Sequence, residues 1–140
     1  MTNMWWIRLN AALGSLVVTL GFWLIWGELP LVVTVLIGLA VAAFLVWQSG
    51  TIGAVWAWAT LFLGLESLAW PVVTMVQVRM AATEPTEQQM GLILTAMLFG
   101  LFSAIFWMTF AYGIFKWMRK KAEEAVDPVD LAKPVKRRSR

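Results

Sequence analysis

Glu66 is the acidic residue that the sequence places in the interior of a long apolar stretch. An acidic side chain at the centre of a bilayer costs at least ~2.5 kcal/mol on insertion scales, and such residues commonly serve a function. Low dielectric disfavours the charged form, so we expect a neutral carboxyl group unless water or a cation reaches it. Thr60, Ser67 and Gln77 are expected to offer it hydrogen bonds. Pro71 frees the backbone carbonyl of Ser67 as a further acceptor.

Three roles for Glu66 are compatible with the residue types around it. The first is a structural hydrogen bond across helices, with a partner such as Asn10 or a threonine. The second is a contact with a polar or basic group of another subunit. The third is the binding and release of a proton or cation during transport. The sequence leaves all three open.

The rest of the chain contains few groups that could perform chemistry. It has no histidine and no cysteine, which excludes disulfides, iron–sulfur clusters and histidine-ligated zinc or haem. Catalysis needs a metal set, a nucleophile with its base, or paired carboxylates, and none of these sets is complete here. We therefore expect no enzymatic activity and no cofactor held through protein ligands.

The composition indicates the class of protein to which this chain belongs. Hydrophobic residues make up 61% of the 140 residues and charged residues only 14%, whereas soluble domains contain about 25% charged residues. The apolar residues form long charge-free runs, and about 20 such residues span a bilayer. The sequence predicts an all-α integral membrane protein with four transmembrane helices, at about residues 5–27, 30–48, 51–77 and 89–117.

The predicted helices form one transmembrane domain, residues 1–118. Thr86 and Gln89 have the spacing of a capping box at the start of the fourth helix. Residues 119–140 are predicted to extend that helix briefly, to stop before Pro128 and to end as a disordered basic tail. A basic tail beside a membrane binds anionic lipid, so we expect no nucleic-acid partner.

Lysine and arginine residues predict the orientation in the membrane. Of the eleven in the chain, only Arg79 falls on the side opposite to both termini. The positive-inside rule then places both termini in the cytoplasm, in a bacterial inner membrane.

Small residues on each helix predict where the helices pack, because small side chains let backbones approach closely in lipid. Either these stripes close a monomeric bundle, or at least one faces another subunit. The residues are Gly53, Ala57, Thr60, Gly64, Ser67, Pro71 and Thr74 on the third helix, Gly38 on the second, Gly14 and Gly21 on the first, and Gly100 on the fourth.

The fourth helix also carries phenylalanines at nearly helical spacing: Phe99, Phe102, Phe106, Phe110 and Phe115. Lipid contact explains such a face without any function. The alternatives are a partner helix or the tail of a quinone or pigment. The sparse chemistry favours a non-catalytic accessory subunit of a larger membrane complex, of respiratory or photosynthetic type, with lipids and other membrane subunits as partners. The alternative is a small homo-oligomeric transporter or channel that uses Glu66.

Overall fold

The computed structural model describes residues 2–27, 29–81 and 84–131. This part of the chain forms four α-helices, each long and apolar enough to cross a membrane. The predicted all-helical architecture with four helices of membrane-spanning length is confirmed. The helices are α1 (Thr2–Trp26), α2 (Leu31–Gln48), α3 (Ile52–Ala81) and α4 (Glu87–Leu131).

The last two helices are longer than predicted. α3 continues to Ala81 instead of ending at Gln77, and α4 begins at Glu87 and contains 45 residues. At 1.5 Å per residue α4 is about 68 Å long, roughly twice the thickness of the hydrocarbon layer. Charged residues mark the edge of the apolar run, but a helix does not have to end there.

The predicted stop before Pro128 is wrong, because α4 continues to Leu131. A proline removes one backbone hydrogen bond and crowds the preceding turn. The carbonyl that it frees lies beyond the apolar span, where water can pair with it. Residues 132–140, which contain most of the predicted disordered tail, lie outside the described residues.

Local backbone signals account for the ends of two helices. Gly27 has a φ of 70°, the left-handed conformation that glycine adopts without strain, and its N–H donates to the Trp23 carbonyl at the end of α1. At the start of α4, Thr86 N–H donates to Gln89 Oε1 at 2.9 Å. Gln89 N–H donates back to Thr86 Oγ1 at 3.3 Å, which completes the capping box.

α3 is the central helix of the structure. It contacts α1, α2 and α4, and α1 also contacts α2. Across the described ranges, α4 contacts only α3, and no Cα atom of α1 lies within 8 Å of one in α4. The four helices therefore form an open arrangement rather than a closed bundle.

Two glycines allow α3 and α4 to approach at backbone distance. A Cβ atom added at Gly100 would lie 2.7 Å from the Ser67 carbonyl oxygen and 2.9 Å from Cδ of Pro71. A Cβ atom at Gly64 would lie 2.9 Å from Cγ of Met108. Neither position leaves room for a larger residue, so the small stripes of α3 and α4 face each other.

The remaining small residues also make contacts within the chain. Gly53 lies against Met118 of α4, and Ala57 and Thr74 are buried on α3. Gly38 of α2 faces α1, where an added Cβ would lie 3.1 Å from Oγ1 of Thr19.

A small apolar core lies where α1, α2 and α3 meet. Ala11, Leu45 and Val55 are fully buried there. Gly14 faces the same junction, because an added Cβ would lie 3.4 Å from Cδ1 of Leu45 and 3.6 Å from Cγ1 of Val55. The core therefore forms on the side of α3 that α1 and α2 cover.

Phe115 does not belong to the exposed phenylalanine face of α4. Its ring packs edge-on against Trp58 of α3, with 5.6 Å between the ring centroids. Trp58 in turn packs against Phe44 of α2 at 5.3 Å. One aromatic ring of the central helix thus joins α2 to α4, although these helices do not contact each other directly.

The close approach of α3 and α4 predicts a difference between two glycines of α4. Gly100→Ala should destabilise the protein by about 1–3 kcal/mol, because the new methyl group meets a carbonyl oxygen and a proline ring that cannot easily move. Gly113→Ala should be neutral or stabilising by roughly 0.5–1 kcal/mol, since nothing lies within 4 Å of its added Cβ. Unfolding by SDS in mixed micelles measures both effects. Equal stability of the two variants would contradict the packing described here.

Candidate functional site

The carboxyl group of Glu66 lies between α3 and α1. Glu66 is at the midpoint of α3, and its side chain points at Gly21 of α1. A Cβ atom added at Gly21 would lie 2.5 Å from Oε2 of Glu66 and 3.4 Å from Cδ2 of Leu63. The carboxyl group therefore occupies space that exists only because position 21 has no side chain.

Glu66 forms part of the wall of a cleft of about 280 Å³. Three helices build this cleft, and it lies where α1 and α4 stay apart on the surface of α3. Polar, apolar and aromatic side chains all contribute to it. Its lining consists of Gly21, Leu24 and Ile25 from α1, Leu63, Glu66, Ser67 and Trp70 from α3, and Ser103 from α4.

The structure gives the expected hydrogen-bond partners of Glu66 other roles. Ser67 Oγ donates to the Leu63 carbonyl at 2.8 Å, and Thr60 Oγ1 donates to carbonyls one turn earlier in α3. Serine and threonine in helices often satisfy their hydroxyl groups this way. Gln77 is exposed and lies eleven residues further along α3, about 16 Å away along the axis. Ser67 lies in the cleft with Glu66; Gln77 does not.

Asn10 is bound to a tryptophan rather than to Glu66. Trp56 Nε1 donates to Asn10 Oδ1 at 3.0 Å, and Asn10 Nδ2 donates to the Trp6 carbonyl at 2.8 Å. The amide therefore links α1 to the first turns of α3. Trp56 is partly buried.

These assignments leave one oxygen of Glu66 without a partner. Its Oε2 atom is buried and has no hydrogen bond among the described residues. The nearest basic residue along α3 is Arg79, thirteen residues away, which corresponds to about 20 Å along the helix. Buried polar atoms are normally hydrogen-bonded, so the orphaned carboxyl oxygen beside a cleft makes this place the candidate functional site.

Sequence reasoning missed five residues of the cleft, of which Trp70 and Ser103 carry an aromatic or a polar group. Trp70 is four residues after Glu66 and so lies on the same face of α3. Ser103 is three residues after Gly100, on the side of α4 that faces α3. Both spacings are visible in the sequence, but the neighbours of Glu66 on other helices depend on how α1 and α4 sit against α3.

The predicted phenylalanine face is exposed in the structure. Phe99, Phe102, Phe106 and Phe110 are all more than half exposed. The last three form part of an open groove of about 860 Å³ along α4, which Trp56 and other side chains complete. This groove is distinct from the Glu66 cleft.

Two further observations concern other kinds of site. In the ranges that the structure describes, no group of three or more acidic side chains is placed to hold a metal ion. Comparison with known protein families, with curated proteins and with solved structures gives no match to this chain. The candidate site is therefore identified by its geometry alone.

Proposed function

We propose that this chain is a small, non-catalytic subunit of a larger membrane protein complex. The observation that carries the proposal is the position of α4, which packs against α3 alone within the described residues. Most of the surface of this 45-residue helix is therefore free to contact other molecules. The exposed side of α4 is therefore a suitable surface for contact with another subunit.

The chemistry of the exposed α4 surface supports a protein partner. Phe102, Phe106 and Phe110 line a groove about three times the volume of the Glu66 cleft (860 and 280 Å³). Helices in lipid associate through shape and packing rather than through hydrophobicity. An open groove with aromatic walls gives a partner helix more contact than a smooth helix surface would.

The part of α4 beyond Trp117 supports the same role outside the bilayer. Fourteen further residues, to Leu131, extend the helix by about 21 Å. They include an exposed pair, Arg119 Nε to Glu123 Oε1 at 3.8 Å, and Lys121 Nζ lies 4.2 Å from the centre of the Trp117 ring. This charged extension of α4 adds a second contact surface in water.

The inferred location is a bacterial inner membrane, with both termini in the cytoplasm. The distribution of lysine and arginine supports this orientation, since only Arg79 of the eleven lies on the other side. Sparse chemistry supports the non-catalytic role: the chain has no histidine or cysteine, and any redox centres would belong to other subunits. Lipids and other membrane subunits are the proposed partners.

The orientation can be tested with single cysteines, because the sequence contains none. Thr86→Cys and Lys120→Cys place exposed thiols at opposite ends of the apolar part of α4. A membrane-impermeant maleimide applied to intact cells should label position 86 and spare position 120. The reverse pattern would show that the termini face outward, and labelling of both would contradict the number of crossings.

Purification from native membranes tests the subunit role. The tagged chain should elute in mild detergent with other membrane proteins in a fixed stoichiometry. Replacing Phe102, Phe106 and Phe110 together with alanine should release these partners, because the groove loses its walls. The matched control replaces three exposed residues of α2, Val35, Leu36 and Leu39, with alanine and should retain them.

Two outcomes would contradict this account. If the wild-type chain elutes alone or only as a homo-oligomer in several mild detergents, the subunit role is wrong, and a transporter that uses Glu66 becomes the better explanation. If partners are present but both triple variants retain them, the α4 groove is not the surface that binds them.

A further inference from the structure

The polar side chains that line the Glu66 cleft present three groups whose oxygens can accept hydrogen bonds. Oε2 of Glu66 has no partner. The Ser67 hydroxyl already uses its hydrogen on the Leu63 carbonyl, so its oxygen retains free lone pairs. Ser103 brings a second hydroxyl oxygen from α4. A ligand that donates several hydrogen bonds from one atom would suit this set.

The other walls of the cleft suit a cation on an apolar stem. Leu24, Ile25 and Leu63 provide aliphatic surface, and Trp70 provides an aromatic ring. The face of a tryptophan ring attracts a cation, most strongly where water is excluded. An ammonium group carries three donors and a positive charge. It therefore matches the carboxyl, the hydroxyl groups and the ring together.

The size and position of the cleft limit the ligand further. An apolar cavity of about 150 Å³ holds a benzene molecule, so a cleft of about 280 Å³ holds a headgroup and a short stem of roughly twice that size. The cleft lies in the gap between α1 and α4, at the midpoint of α3. A ligand reaches that depth from the side, and must itself be soluble in hydrocarbon.

We propose that the Glu66 cleft binds a membrane-soluble amine, with its ammonium group against Glu66 and its apolar stem along Leu24 and Leu63. If the amine arrives neutral, the proton of a neutral Glu66 carboxyl moves to the amine nitrogen and produces the ion pair. No other reactant is required, and no other bond changes. The proposal does not depend on the role of the chain as a subunit.

Protection of an engineered thiol tests the proposal in the intact chain. Leu24→Cys places a cysteine on the wall of the cleft and leaves every polar group in place. Leu20→Cys is the matched control, since it lies one turn earlier on α1, is also exposed and does not line the cleft. Each variant is purified in detergent, and its reaction with a membrane-permeant maleimide is timed with octylamine, with octanol or with neither.

Octylamine at about ten times its dissociation constant should slow the labelling of position 24 about tenfold, because the rate follows the unoccupied fraction. Octanol, which has the same stem without the ammonium group, should have little effect, and position 20 should react at an unchanged rate. Adding Glu66→Gln to Leu24→Cys should remove the protection, since an amide does not form the ion pair.

The proposal is overturned if octylamine does not protect position 24, if octanol protects it equally, or if protection survives Glu66→Gln. The comparison of amine with alcohol uses the natural Glu66, so it decides the question even if the glutamine variant fails to fold. These results do not depend on whether partner subunits co-purify.

Discussion

The close packing of α4 on α3 is the contact on which the rest of this structure depends. Gly100 lies against the Ser67 carbonyl and Pro71, and Gly64 lies against Met108. In lipid, apolar surface gives helices no reason to associate, so the attraction must come from such close fits. In the described part of the chain α4 has no other neighbour. Its position is therefore set by this one interface, and so is the gap that separates it from α1.

The gap between α1 and α4 explains why the Glu66 carboxyl group has an oxygen without a partner. On the side of α3 toward its start, α1 and α2 enclose a small apolar core around Leu45 and Val55. At the middle of α3, α1 and α4 stand apart, and the Glu66 carboxyl lies between them against Gly21. The first part of α3 is thus covered within the chain. Its midpoint presents a carboxyl oxygen without a partner, which we interpret as an amine site, whereas the proposed subunit surface is the separate groove along α4.

Much of the fold could be predicted from the sequence, because charge-free length and small-residue spacing act locally. The helix number, the capping box at Thr86 and Gln89, and the small residues between α3 and α4 all follow from such patterns. The continuation of α4 past Pro128 could not be predicted in this way, because a proline weakens a helix without having to end it. The hydrogen-bond partners of the residues around Glu66 also could not be predicted from the sequence. Residue types reveal which groups can hydrogen-bond, but Ser67 and Asn10 find closer partners than the carboxyl group.

Disulfide formation between paired cysteines tests the open arrangement most directly. A Cβ atom at Gly53 would lie 3.7 Å from Cγ of Met118, so Gly53→Cys with Met118→Cys should form a disulfide readily upon oxidation. Leu24→Cys with Ser103→Cys should not, because α1 and α4 stay more than 8 Å apart between Cα atoms, and disulfides need Cα atoms within about 7 Å. Rapid disulfide formation between positions 24 and 103, as fast as in the first pair, would show that the helices close around Glu66 and would contradict this account.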